Sequence, residues 1–184
     1  FVDFNLKLKE DETGEVEVFE FGNMLHTVLE LFVKKLSLID SEESAKEIAG
    51  QIFDQLISKP EYSRYLNKSN YPYIFSLVKK EAEKRCKTVY LEFLNSKYKP
   101  IGEEVAFGSI PGAKLDAIML KTDYGDKTIS GKIDRVDRWE DYLRIIDYKT
   151  GNPHKKIEDE SLYAGLNLQL YLYANAFLSK DTKL

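Results

Sequence analysis

The feature that most constrains this chain is a change in the spacing of its apolar residues around Pro100. Before it the apolar positions recur about every 3.6 residues, as on a helix; after it they recur about every 2, as on a strand. Phe21, Leu25, Val28, Leu29, Phe32, Val33 and Leu36 make one amphipathic stripe. A second helix opens with Ser41 as its N-cap and is ended by Pro60. The longest helical pattern covers 71–98, with Pro72 in its first turn, where a missing N–H costs nothing. Beyond Pro100, alternation predicts strands at 104–107, 114–120, 127–137 and 142–148, with turns at 123–126 and 138–141. Residues 166–178 return to the helical period. Helices, then strands, then a helix exclude an all-helical bundle and an all-β sandwich. The order predicts an α/β or α+β fold with a small central mixed sheet flanked by helices.

At 184 residues the chain suits one domain, with a helical part at 21–98 and a sheet-plus-helix part at 101–178. No Met stands at the start, and the end follows closely on a helical pattern, so the chain reads as a fragment of something larger. A 43% hydrophobic content supports a packed core and rules out wholesale disorder. No apolar run has the length of a membrane span, so no membrane partner is expected. The one cysteine, Cys86, excludes an internal disulfide and any multi-cysteine metal site within the chain, and it fits a reducing, cytoplasmic setting. The net charge is -4, but residues 1–20 alone carry -5, leaving +1 for the rest. The acidity of the whole therefore does not exclude a nucleic-acid substrate.

Two acids fall on neighbouring predicted strands, Asp134 in 131–137 and Asp147 in 145–149. Side chains alternate along a strand, so Asp147 and Lys149 point one way and Tyr148 the other. A hairpin centred near Trp139 and Glu140 sets Asp134 across from 145–147, which gathers Asp134, Asp147 and Lys149 on one face. Taken singly, each of these is read as a solvated turn residue or a surface ion pair. Flanked by Ile133, Ile145 and Ile146, two like charges so close together are costly, and a bound divalent cation relieves the repulsion. Oxygen ligands of this kind suit Mg²⁺ or Mn²⁺.

The stretches 131–137 (GKIDRVD), 146–151 (IDYKTG) and 165–174 (GLNLQLYLYA), in that order, resemble the RecB-like branch of the PD-(D/E)XK nucleases. Two further stretches extend the likeness: 22–26 (GNMLH) resembles an upstream helix that carries a histidine, and 99–108 (KPIGEEVAFG) a strand that precedes the catalytic ones. Together they cover nearly the whole chain. Within that branch the likeness is strongest to the nuclease domains of AddB/RexB-type subunits, which work in bacterial helicase–nuclease complexes on DNA double-strand breaks.

The resemblance implies a restriction-endonuclease-like core and a set of roles. Asp134 and Asp147 are expected to bind Mg²⁺ or Mn²⁺, joined by the imidazole of His26 and the main-chain carbonyl of Tyr148. Glu104 resembles an extra acidic position, with Glu103 beside it as the competing candidate. Lys149 is expected to orient the attacking water or stabilise charge on the phosphate, braced by Gln169 and Tyr173. Lys79, Lys80, Lys84, Arg85 and Lys87 carry a net +3 with their two intervening acids and form a candidate DNA-backbone stripe, or else a solvated helix face. The expected partners are linear or single-stranded DNA and a helicase subunit of the AddA type, in the bacterial cytoplasm. Relatives of this kind often hold an iron–sulfur cluster with cysteines outside the stretch present here, so that cluster is either missing from the parent or present only in a longer parent chain. Two other readings fit the motifs: a nuclease-fold module that binds or channels DNA without cutting, and a free-standing CRISPR-adaptation nuclease.

Overall fold

A computed structural model describes residues 14–62, 65, 71–149 and 168–178, the side chains of 14–19 and 178 excepted. The chain divides into two compact units, residues 1–97 and 98–184, and the division falls where the period changes.

The first unit is helical. Helix α1 spans Gly14–Val33, α2 Glu42–Ile57 and α3 Tyr71–Asn95, with single 3₁₀ turns at Leu36–Leu38 and Pro60–Tyr62. Helix α1 begins well before the apolar stripe that predicts it, because acidic residues before Phe21 are compatible with a helix N-terminal turn. Ser41 caps α2 from an extended conformation, its side chain accepting the Ser44 N–H at 3.1 Å, and Glu42 and Glu43 complement the dipole. Ala45, Ala49, Ile52, Phe53 and Leu56 bury one face of α2; Ile74, Phe75, Val78, Ala82, Cys86 and Val89 bury one face of α3. The centre is aromatic. Tyr65 stacks on Tyr71 at 4.9 Å between centroids, and Phe75 meets Phe21, Phe53 and Tyr71 edge-on. Pairs of this kind add about 0.5–1.5 kcal/mol each beyond their burial. Cys86 lies inside α3, and burial drives its thiol pKa far up, so it is an inert core residue.

The second unit holds strands β1 Lys99–Phe107, β2 Ile118–Leu120, β3 Lys127–Ile129, β4 Gly131–Trp139 and β5 Tyr142–Ile146, then helix α4 Gln169–Leu178. Strands β1, β4 and β5 form a sheet in the order β1-β4-β5, and β2 pairs with β3. Both sets pair antiparallel among the described residues, with a single parallel bridge between Phe107 and Leu115. The α4 side chains Tyr173, Ala176 and Phe177 pack with Val105, Phe107, Leu115, Ile118, Ile133 and Val136 in one apolar core.

Three expected strands are shorter than alternation predicts, 142–148 among them, which ends at Ile146. In place of a continuous 127–137 strand, the chain breaks at Ser130, where it passes from one sheet to the other. Gly108, at φ +85°, lies so close to Ser130 that a Cβ there would sit 2.2 Å from the serine oxygen, and that oxygen accepts the Ser109 N–H at 2.8 Å. Of 114–120, only 118–120 is a strand, because the Lys114 and Leu115 amides turn back to the Ala106 carbonyl. The final turn is tighter than predicted: the ladder runs on to Trp139↔Tyr142, leaving Glu140 and Asp141, with Glu140 at φ +53°.

Candidate active site

The register of the three-stranded sheet sets an acidic row. The pairs Glu103↔Arg135 and Val105↔Ile133 bracket Glu104 and Asp134, which therefore lie side by side on β1 and β4. The β4–β5 register, carried one residue beyond Arg135↔Ile146, sets Asp147 on the other side of Asp134. Glu103 stands on the opposite face with Arg135, so of the two neighbouring glutamates it is Glu104 that shares the acidic face. Glu104 adopts φ +48° and its carboxylate lies 3.3 Å from the Lys132 ammonium.

Strand β5 ends at Ile146, so 147–149 lie beyond the ladder. The acids themselves help to hold that segment. The Tyr148 N–H donates to Asp134 Oδ2 at 2.6 Å, a carboxylate standing where a sheet would offer a carbonyl. Asp147, with a side chain only 8% exposed, ion-pairs with Lys149, whose side chain is 65% exposed. A nearly buried carboxylate is thus paired to a cation at an open rim. Lys149 Nζ also donates to Gln169 Oε1 at 2.6 Å, and Gln169 Nε2 donates to the Tyr173 hydroxyl at 2.5 Å. Gln169 and Tyr173 are four residues apart on α4, one turn along one face, which lets the amide bridge the two. Tyr173 is anchored in the core, its ring meeting Phe107 edge-on at 6.0 Å. Burial raises its pKa above the ordinary tyrosine value; the Gln169 hydrogen bond opposes this, while both Asp147 and Asp134 reinforce it. One phenol therefore senses both carboxylates, and Asp134, Asp147, Lys149, Gln169 and Tyr173 form one connected group.

Other expected residues lie elsewhere. His26 is on α1 of the helical unit, half-buried. In the basic stretch of α3, Lys79 meets Asp54 at 2.6 Å, Arg85 meets Glu81 at 2.8 Å and Lys87 pairs with Glu42. Three of the five expected phosphate contacts are thus engaged by acids, and Lys80 and Lys84 are the exposed cations there. Thr150, Gly151, Gly165 and Asn167 of the motifs lie outside the described residues.

One charged group escaped the sequence reading. Arg135 and Asp137 are fully buried on the face opposite the acids. Arg135 grips Asp137 with two bonds, Nε to Oδ1 at 2.6 Å and Nη2 to Oδ2 at 2.8 Å. Arg144, from β5, adds Nη2 to Oδ2 at 2.5 Å. Burial works against the Arg135 charge, but its hydrogen bonds to Asp137 and to the Tyr148 hydroxyl outweigh that, and its pKa is raised. The available signal was the alternation of 134–137 itself, which sends Asp134 to one side of a buried strand and both Arg135 and Asp137 to the other.

The donors present suit a hard divalent cation: carboxylate oxygens of Asp134 and Asp147 beside a main-chain carbonyl. Asp134 accepts the Tyr148 N–H through Oδ2. Among the described residues no three His, Cys, Asp or Glu side chains converge closely enough to hold an ion by themselves.

An acid on β4, a second just past the end of β5, a lysine two residues after it and a helix bracing that lysine are the arrangement expected of a PD-(D/E)XK-type nuclease site. The sequence matches the family model of the PD-(D/E)XK nuclease superfamily over residues 1–183, and the chain belongs to that superfamily. It is similar to the ATP-dependent helicase/deoxyribonuclease B subunit of Pelotomaculum thermopropionicum, 30% identical across 97% of this chain and 16% of the relative. The protein of the same description from Clostridium acetobutylicum is 30% identical across 98% of this chain and 16% of the relative, and that from Alkaliphilus metalliredigens 27% across 100% and 17%. The chain therefore spans about a sixth of the length of these relatives. No described helix is long and apolar enough to cross a membrane.

Proposed function

We propose that this domain is a Mg²⁺- or Mn²⁺-dependent deoxyribonuclease that hydrolyses phosphodiester bonds of linear or single-stranded DNA. It would act within a bacterial, cytoplasmic helicase–nuclease complex with an AddA-type motor subunit, in double-strand break processing. The observation that carries this reading is the chain of contacts from Asp147 through Lys149 and Gln169 to Tyr173, with Asp134 tied to the same segment at the Tyr148 N–H. The names of the similar proteins support the helicase partner and the DNA substrate.

In this reading Asp134, Asp147 and the Tyr148 carbonyl would hold the cation. The bound ion supplies Lewis-acid polarisation of the phosphate and neutralises developing charge. Lys149 reaches from the rim to orient the attacking water and to donate N–H bonds to a non-bridging phosphate oxygen. Its long side chain would otherwise sample many rotamers; Gln169 fixes it, and Tyr173 fixes Gln169 against the core. A bond forms from water oxygen to phosphorus as the bond to the leaving oxygen breaks.

The test uses the full-length protein assembled with its motor partner, on linear DNA with Mg²⁺. Asp147→Ala and Lys149→Ala should each lower cleavage by at least about 100-fold while DNA-stimulated ATP hydrolysis persists. Full cleavage by either variant overturns the reading. Chelation should abolish cleavage, and Mg²⁺ or Mn²⁺ should restore it.

A further inference from the structure

The segment 147–149 poses a mechanical problem. It carries a buried acid and the rim lysine, yet it begins where the β5 ladder stops at Ile146. Two side-chain contacts bear on its position. On the acidic face, Asp134 takes the Tyr148 N–H. On the opposite face, the Tyr148 hydroxyl lies 3.4 Å from Arg135 Nη1. Tyr148 is therefore held from both sides of the sheet, by its amide on one face and its phenol on the other.

What holds the far side is itself rigid. The Arg135 guanidinium is planar, and two of its nitrogens are already committed to the two oxygens of Asp137. Arg144 pins Oδ2 of the same carboxylate through Nε at 3.2 Å and Nη2 at 2.5 Å. The Tyr98 ring lies under the Arg144 guanidinium at 5.0 Å. With its fork fixed, Arg135 has one nitrogen, Nη1, directed at the phenol. Burying Arg135 with Asp137, with the part-exposed Arg144 on the same carboxylate, is costly if fold stability alone is the aim, since apolar residues of similar volume often serve as well. The arrangement makes sense as a fixed donor for the segment that carries the active groups.

We propose that Arg135, clamped by Asp137 and Arg144, is a positioning residue that holds the Tyr148 phenol and thereby sets the main chain at 147–149. It would keep the Tyr148 carbonyl, Asp147 and Lys149 aligned with Asp134. The step to metal and DNA rests on the nuclease reading above; the step to the main chain does not.

Tyr148→Phe in the full-length protein tests this, because it removes one hydroxyl and leaves the ring. Three quantities are read: hydrogen exchange of the peptide containing residue 148 by mass spectrometry, Mn²⁺ affinity by electron paramagnetic resonance, and kcat and KM on linear DNA. The expected result is faster exchange at that peptide, Mn²⁺ binding weakened by about 10-fold, and kcat reduced by a similar factor with KM for DNA unchanged. Arg135→Lys should reproduce the pattern, since an ammonium cannot make the fork and still reach the phenol. If that variant fails to fold, Tyr148→Phe still decides the matter. Unchanged exchange at the 148 peptide overturns the proposal whatever the metal does. Faster exchange with wild-type Mn²⁺ affinity and kcat also overturns it, because the contact would then be only structural. If the wild type binds no Mn²⁺ and does not cut DNA, the nuclease reading fails, and the exchange result alone judges the positioning role.

Discussion

The two units of the chain handle charge in opposite ways. In the helical unit the core is apolar and aromatic, and the ion pairs, such as Lys79 with Asp54 and Lys34 with Glu30, lie at the partly exposed surface. In the sheet unit the charges go inward: Arg135 and Asp137 are wholly buried, and Asp147 nearly so. Surface pairs contribute little because water already solvates both partners. Buried charges must be paired or they are expensive. The helical unit is thus built by packing, whereas the sheet unit accepts desolvated charge that is held in place by its partners.

The largest effect should come from unbalancing the buried group. Asp137→Ala leaves Arg135 buried without its carboxylate and should destabilise the domain by about 3–5 kcal/mol. Chemical denaturation of the full-length protein, followed by a probe in this domain, measures it; a loss below about 1 kcal/mol would erase the contrast. At the helical unit, Lys79→Ala removes an exposed pair and should cost no more than ~1 kcal/mol, screened further by salt. A loss as large as that of Asp137→Ala would show that the two units do not differ. The smallest effect concerns Tyr173. Its pKa is raised in the fold, so the phenol is neutral in both folded and unfolded chains below about pH 10. Any stability it adds is fully present there and is lost as pH rises through the folded value. A difference titration of wild type against Tyr173→Phe, read by tyrosinate absorbance, should lose one step above about pH 10 and leave the neutral range untouched.

Much of the site was legible because strand geometry is strict. Alternation, carried past the end of β5 at Ile146, sets Asp147 and Lys149 together with Tyr148 opposed, and the hairpin centre sets Asp134 beside them. The i, i+4 spacing of Gln169 and Tyr173 likewise reads directly as one helix face. The basic stretch of α3 was less legible for a plain reason. Counting charges along one segment cannot reveal Asp54 and Glu42, which reach it from another helix. The strand break at Ser130 depends on Gly108, more than twenty residues away in sequence, so no local pattern announces it.

The amino-acid order by itself determined the two halves, the strand faces and the membership of an acid–acid–lysine group, because periods of 3.6 and 2 translate into faces without reference to anything distant. Only the tertiary structure decided what the opposite face of β4 does. Arg135 and Asp137 become a clamp because β5 brings Arg144 to the same carboxylate and the chain beyond it returns the Tyr148 hydroxyl to Arg135. A buried charge has meaning only through its partners, and partners from different strands meet only when the sheet is assembled.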